Sequence, residues 1–384
     1  MTAPSVQPEA PLALYIHWPF CVLKCPYCDF NSHVRTSVDQ QLWQKSLLAD
    51  LAYESSMLPG RKLGSIFFGG GTPSLMPPAT VAALIEAADA RFGLLPGAEI
   101  TLEANPSSVE AARFADLAAA GVNRVSLGLQ ALDDTALRFL GRAHGLAEGL
   151  AALDTAQASF RRVSFDLIYA RPDQSLAAWE AELARALAFG TGHLSLYQLT
   201  VEPGTRFATL AAKGLLTIPD EDVAADLFAM TRAMTEAAGL PAYEVSNHAR
   251  LGEESRHNLV YWRGQDYAGI GPGAHGRRGR VATVRHRKPE NWLTRVDAQG
   301  HGLQEETLLD SKERATEALM MGLRLTEGAD LAAIAATAGA AAPLDETKAA
   351  RLQSLGLVRR EGTRLIVTAA GMPVLNAVIG ELLA

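Results

Sequence analysis

The chain has 384 residues, 48% of them hydrophobic, with 42 acidic residues against 35 basic ones, a formal net charge of −7 and three cysteines. That length and apolar content supply core for one large α/β domain and a smaller one, and they exclude a disordered chain. The acidic balance argues against a nucleic-acid partner, which needs a basic surface, and an odd, tightly spaced set of cysteines excludes a disulfide framework.

The first segment, 1–11, is rich in Pro and Ala and has neither a basic cluster nor an apolar run, so it reads as a flexible N-terminus of a protein that stays in the cytoplasm. The first strand-like run is Leu12 to Trp18, and the three cysteines follow it as Cys21-Val-Leu-Lys-Cys25-Pro-Tyr-Cys28. Three thiols within eight residues read as a metal site. Structural zinc and ordinary iron-sulfur clusters take four protein ligands, so three leave one coordination position open, and an open position is where a ligand or substrate enters. A zinc site completed by His17 or His33 is the alternative.

Five further strand-like runs follow: Ser65 to Phe68, Glu99 to Glu103, Arg124 to Gln130, Arg162 to Tyr169 and His193 to Leu199. Helix-period stretches lie among them at Val38 to Met57, Pro78 to Arg91, Ser108 to Ala120 and Leu176 to Phe189. Such β-α alternation predicts a parallel sheet covered by helices, with its site at the carboxyl ends of the strands. Polar and glycine residues stand at those ends: Gly69-Gly-Gly-Thr-Pro-Ser74 after the second run, Glu103 closing the third, Gln130 closing the fourth and Asp166 inside the fifth. Buried without partners they would cost a few kcal/mol each, roughly, and a polar ligand would satisfy them.

Near Asn247 the pattern breaks into a Gly- and aromatic-rich stretch that reads as a packed loop region, so a core over 12–245 is followed by a connecting segment over 246–300. The last unit, 301–384, carries helix-like Lys312 to Arg324 and Asp345 to Leu355. Two strands joined by a Glu-Gly turn follow within Leu357 to Thr368, and a final helix comes after Gly371. Helices plus a hairpin describe a winged-helix-like α+β unit. Its most apolar stretch, Leu331 to Ala342, is too short to span a bilayer.

Five motifs in order resemble the radical S-adenosylmethionine (SAM) superfamily and, within it, the oxygen-independent coproporphyrinogen III oxidase family. They are the C-x3-C-x2-C loop, Gly69-Gly-Gly-Thr-Pro73, Glu103-Ala-Asn-Pro106, Gly128-Leu-Gln130 and Asp166-Leu-Ile-Tyr169. The resemblance runs from Tyr15 to His275 and on into the last unit. It implies a partial (β/α)6 radical SAM barrel with the smaller domain appended. It also implies that Cys21, Cys25 and Cys28 hold three irons of a [4Fe-4S] cluster, whose fourth iron takes the amino and carboxylate groups of SAM. By the same resemblance Gly70, Gly71 and Thr72 contact the methionyl end of SAM, Tyr27 lines its adenine side, and Tyr15, Glu103, Gln130, Arg142 and Asp166 are further SAM-binding positions. In this family the reduced cluster cleaves SAM to methionine and a 5′-deoxyadenosyl radical, so the cofactor carries the hard chemistry.

The chain departs from the oxidase pattern. Phe30 stands where the oxidase loop has a further cysteine, and only twenty residues precede Cys21, where the oxidase has a longer arm over its substrate. The fifth-strand motif continues as Ala170-Arg171-Pro172 in place of Gly-Leu-Pro. These departures resemble the haem chaperone (HemW) subgroup, whose signature H-N-x-x-Y-W stands here at His257-Asn258-Leu-Val-Tyr261-Trp262. That resemblance implies a protein that binds haem beside its cluster and SAM and passes it to haem-acceptor proteins, respiratory and membrane-associated ones among them. The alternative is the decarboxylating oxidase itself. On a helix His257 and Tyr261 share a face, and both residue types can bind haem iron. The competing reading of His257 is a structural aromatic cluster with the ring bonded locally. His275 is a second candidate ligand, and His33 is expected beside the cluster.

Overall fold

The computed structural model describes residues 10–383, so the expected flexible N-terminus lies outside the described residues up to residue 9. The six strand-like runs are strands: β1 (Leu12–Trp18), β2 (Leu63–Gly70), β3 (Leu94–Ala104), β4 (Arg124–Gln130), β5 (Arg162–Tyr169) and β6 (His193–Gln198). They pair in parallel in chain order. β1 is buried along nearly its whole length, as a strand covered on both faces must be. Helices return the chain between strands. Asp39, Ser175 and Asp220 cap Gln40–Ser56, Leu176–Ala188 and Glu221–Ala237 by accepting a backbone N–H. The expected helix from Ser108 to Ala120 is two short ones, Ser108–Ala111 and Phe114–Ala119, and Arg113 at the break sends its guanidinium to the Met76 carbonyl.

The stretch after Asn247 corrects the expectation of a packed loop region. It supplies β7 (Asn247–Ala249), antiparallel to β6, and β8 (Tyr267–Ile270), which crosses to the opposite edge and pairs in parallel with β1. Antiparallel β9 (His275–Arg278), β10 (Val281–Arg285) and β11 (Leu303–Leu308) extend that edge. The result is an open eleven-stranded mixed sheet in the order β11-β10-β9-β8-β1-β2-β3-β4-β5-β6-β7, a partial barrel prolonged on one side. β7 to β10 are runs of three to five residues, two of them holding a glycine, too short to display the period of two that marks a strand.

The added edge is fixed to the barrel by buried charge. Asp50, on the first helix, accepts from Arg285 Nε at 2.7 Å, Trp292 Nε1 at 3.2 Å and the backbone N–H groups of Gly271 and Gly302, both at 3.1 Å. One turn on, Glu54 takes Arg285 Nη2 at 2.7 Å and both ends of the Arg278 fork.

The last unit has its own core, built from Leu319, Ile334, Leu352, Val367, Ile379 and their neighbours. Its first helix, Ser311–Gly322, opens with a reciprocal capping box between Asp310 and Glu313. The hairpin strands Val358–Glu361 and Arg364–Val367 stand as expected, with Ala329–Asp330 added beside the second. Phe228 and Val245, from the barrel side, pack against this core, so the small unit sits against the mouth of the barrel. Among the described residues no helix is long and apolar enough to cross a membrane.

Candidate functional site

The cysteine loop leaves β1 and is held against the Gly-rich loop that leaves β2. Gly71 N donates to the Trp18 carbonyl at 2.7 Å, and Thr72 N donates to that of Phe20 at 2.8 Å. A methyl group at Gly71 would lie 2.6 Å from the Phe20 carbonyl oxygen, a backbone atom that cannot yield. At Gly70, φ is 118°, and an added carbon would meet the Trp18 carbonyl oxygen at 2.8 Å. These glycines are therefore what allow the two loops to touch.

A polar chain joins the cysteines across three strand ends. Thr72 Oγ1 donates to Cys21 Sγ at 3.5 Å and accepts from Asn105 Nδ2 at 3.0 Å. Asn105 Oδ1 accepts from Arg142 Nη2 at 2.5 Å, and Arg142 Nη1 donates to Cys25 Sγ at 3.3 Å. Arg142 also reaches Tyr27 Oη and the Gly128 carbonyl. Burial pushes the thiols of Cys21 and Cys28 up from their ordinary value, so loading the site with iron must displace protons. No three His, Cys, Asp or Glu side chains among the described residues gather closely enough around one point to hold a single ion. His17 has both ring nitrogens engaged, with Tyr15 Oη at 3.0 Å and the Asn31 carbonyl at 2.9 Å. With His17 engaged, three thiols spread in this way suit a cluster of several irons better than one zinc ion.

Beside the thiols lies a cavity of about 650 Å³ lined by Tyr27, Gly70, Gly71, Thr72, Glu103, Gln130, Arg142 and Asp166, so eight of the nine expected SAM positions meet in one space with the cysteines. Tyr15 does not share it and lines two neighbouring cavities instead. The pairing of β4 with β5 shifts register between Leu127 and Gln130, and Gln130 takes a left-handed φ of 70°. Its buried Oε1 has no hydrogen-bond partner among the described residues, nor has Arg142 Nε. Unpartnered buried polar atoms on residues that line a cavity fit a ligand as polar as SAM. Register places Glu103 beside Ser126, whose hydroxyl donates to Asp166 Oδ1 at 3.2 Å. Burial, reinforced by the nearby Asp166 charge, pushes the Glu103 carboxyl up to about 8, and burial pushes Asp166 up to about 6. A cationic ligand would draw both toward the ionised form.

A second cavity, of about 1700 Å³, opens next to the first and shares Phe30, Gly70, Glu103 and Asn376 with it. Helix Arg256–Trp262, which carries the H-N-x-x-Y-W signature, gives Asn258, Tyr261 and Trp262 to its wall. His257, expected as a haem contact, does not reach this cavity. Its ring is 1% exposed, shares hydrogen bonds with Ser65 Oγ at 3.1 Å and Tyr261 Oη at 2.7 Å, and stacks on Phe67. Burial holds its pKa down to about 3, so it stays neutral. Arg171, whose direction the sequence left open, turns from the site and pairs with Glu182 at 2.5 Å. The preceding Ala170 takes φ 56°, which accounts for the glycine of the family pattern.

The sequence gives no expectation for Asn31, Tyr197 and Gln198, and Asn105 enters it only within the Glu103-Ala-Asn-Pro106 motif. Tyr197 and Gln198 close β6, so the strand-end rule that found Glu103 and Gln130 applies to them too. Asn31 Nδ2 donates at 2.9 Å to the carbonyls of both Pro272 and Arg287, contacts that span more than two hundred residues and leave no local signal.

Comparison with known proteins gives a consistent picture. Residues 15–186 match the Radical SAM superfamily model, and residues 309–374 match the HemN C-terminal domain. The chain is 41% identical to the heme chaperone HemW of Escherichia coli, over 83% of this chain and 84% of that one. It is 35% identical to HemW of Mycobacterium tuberculosis, over 98% and 96%. It is also 42% identical to the bovine mitochondrial radical S-adenosyl methionine domain-containing protein 1, over 82% and 74%. Among solved structures, the radical SAM coproporphyrinogen III oxidase HemN of E. coli superposes with a TM-score of 0.80 over 98% of this chain and 91% of that one. At 23% identity that likeness establishes the fold alone.

Proposed function

This chain belongs to the radical SAM superfamily and, within it, to the family of the heme chaperone HemW, and on that premise we propose that it binds haem beside a [4Fe-4S] cluster and SAM and hands the haem to acceptor proteins. The observation that carries this reading is the pair of adjoining cavities. One has the thiols, glycine cradle and unpartnered polar atoms that suit a cluster with SAM. The other, at about 1700 Å³, exceeds the roughly 300–1,000 Å³ of ordinary small-molecule sites and can take a macrocycle.

The family implies the cluster and SAM, which together supply one-electron chemistry when bound. On this reading Cys21, Cys25 and Cys28 hold the cluster, and Arg142 and Thr72 orient two of the sulfurs. Gly70, Gly71, Gln130, Glu103 and Asp166 take the polar parts of SAM. Tyr261 and Trp262 offer aromatic surface to the haem, and His257 fixes the Tyr261 hydroxyl from behind. The protein works in the cytoplasm, and its acceptors include respiratory, membrane-associated proteins.

A porphyrinogen would also fit the larger cavity, so decarboxylation of coproporphyrinogen III is the second reading. Phe30 favours the first. It is 58% exposed and lines both cavities where the oxidase pattern has a cysteine, which places an inert ring at the junction. The test is to titrate anaerobically reconstituted protein with haemin and to assay coproporphyrinogen III decarboxylation with SAM and a reductant in parallel. A saturable Soret band at one haem per chain without decarboxylation is expected. Robust porphyrinogen turnover would overturn the chaperone reading.

A further inference from the structure

Resting on the haem reading above, we propose that His275 is the side chain that binds the haem iron, and that Arg287 holds a haem propionate at the same wall of the larger cavity. Two histidines line that cavity, His17 and His275. His17 is excluded because both of its nitrogens are taken, one by a tyrosine hydroxyl and one by a backbone carbonyl. His257 is excluded because it faces only a small inner cavity and is likewise bonded at both nitrogens. The His275 imidazole makes no side-chain hydrogen bond among the described residues, and it is exposed to the cavity between two buried neighbours, Ala274 and Gly276. A ring nitrogen with a free lone pair is what iron requires.

The ligand stands on a rigid support. His275 opens β9 and pairs with Val284 of β10. The turn before it is clamped by Asn31, whose amide nitrogen donates to the carbonyls of Pro272 and Arg287, both at 2.9 Å. Gly273, at φ 77°, lets Asn31 approach, since an added carbon there would lie 2.5 Å from Asn31 Nδ2. Gly271 N is held in turn by the buried carboxylate of Asp50. A metal ligand positioned this way loses little freedom on binding.

Burial, with the Arg287 charge close enough to add to it, lowers the His275 pKa and so favours the neutral form that binds metal. The Arg287 guanidinium itself enters no ion pair among the described residues and also lines the cavity. A carboxylate partner is what such a fork accepts, and haem carries two on its edge. Trp262, Tyr267, Phe228 and Met372 supply aromatic and apolar wall for the macrocycle.

The experiment compares the reconstituted full chain with its H275A and R287Q variants. Haemin and iron-free protoporphyrin IX are the probes, and the iron–histidine stretch of the ferrous complex is read by resonance Raman. For H275A, haemin affinity should fall at least about tenfold, the loss that even a supporting group costs a metal site. The iron–histidine band should vanish and return with added imidazole, while protoporphyrin affinity stays unchanged. For R287Q, both probes should weaken together with the band intact. Should H275A fold poorly by circular dichroism, H275N gives the same comparison. A variant that keeps the band and the haemin affinity would overturn His275 as ligand while leaving haem binding in place, and unchanged affinities in R287Q would overturn the propionate contact. A wild-type chain that binds neither probe would instead sink the haem reading beneath the proposal.

Discussion

Arg142 donates from Nη1 to the sulfur of Cys25 at 3.3 Å while its other terminal nitrogen is held by Asn105 at 2.5 Å. A cation hydrogen-bonded to a cluster sulfur favours the more reduced, more negative state, so this arginine should raise the reduction potential of the cluster. In R142Q the potential should fall by on the order of 60 mV, a tenfold change for a one-electron couple. The iron content should stay near four per chain, because the thiols themselves remain. Redox titration followed by electron paramagnetic resonance reads the shift, and a potential identical to wild type would remove Arg142 from the tuning of the cluster.

Glu103 should make the ligand-free protein less stable as the solution turns alkaline. Burial, with Asp166 beside it, lifts its carboxyl to about 8, well above the ordinary glutamate range near 4.3, roughly. The folded chain therefore holds this proton more tightly than the unfolded chain. That stabilisation is complete below the unfolded value and is lost as pH rises through the folded one. E103Q cannot ionise, so its melting temperature relative to wild type should climb by a few degrees between pH 5.5 and 8.5. A gap that stays constant across that range would show that Glu103 does not titrate as described.

How much of this was legible in the sequence depended on the range of the contacts involved. β1, β4 and β5 match the expected runs because each has seven or eight residues with recurrent apolar side chains and is opened or closed by a proline or a polar residue. The cysteines declared themselves by spacing, whereas the Gly-Gly-Gly-Thr-Pro loop gained its weight from its place after a strand and from the family resemblance. By contrast, β8 pairs with β1 across some two hundred and fifty residues, and a four-residue run cannot announce that partner. His257 shows the same limit within one motif. Its alignment with Tyr261 followed from the helical repeat, but Ser65 and Phe67, which close the other side of the ring, come from β2.

Asp50 carries the junction between the first helix and the added edge of the sheet. D50A would leave the fully buried Arg285 with Glu54 as its remaining acid partner and would strip Gly271 and Gly302 of their acceptor. Removing one member of a buried pair costs about 3–5 kcal/mol, since the surviving charge stays buried. D50N, which keeps the acceptor oxygen, should cost less. Denaturant midpoints measure both, and a loss below about 1 kcal/mol in D50A, no more than an exposed pair contributes, would mean that the network is not what fixes this edge.

H257A separates a haem contact from a support. The imidazole bridges Ser65 Oγ and Tyr261 Oη, so its removal leaves both hydroxyls without that partner inside the protein, at a cost of about 1–3 kcal/mol for an unsatisfied buried group. Tyr261 lines the larger cavity, and its ring packs edge-on against Tyr267 at 4.4 Å, so loosening it should disturb the wall that meets the macrocycle. Haemin affinity should therefore fall only a few-fold in H257A, with the position of the Soret band and the iron–histidine stretch kept and the cluster absorbance intact. Tyr261→Phe should lose part of the affinity too, because it removes the bond by which His257 fixes the Tyr261 ring, while the His257–Ser65 link from helix to strand stays. Loss of the iron–histidine band in H257A, with His275 present, would mean that the ring leaves its pocket to take the iron when haem arrives.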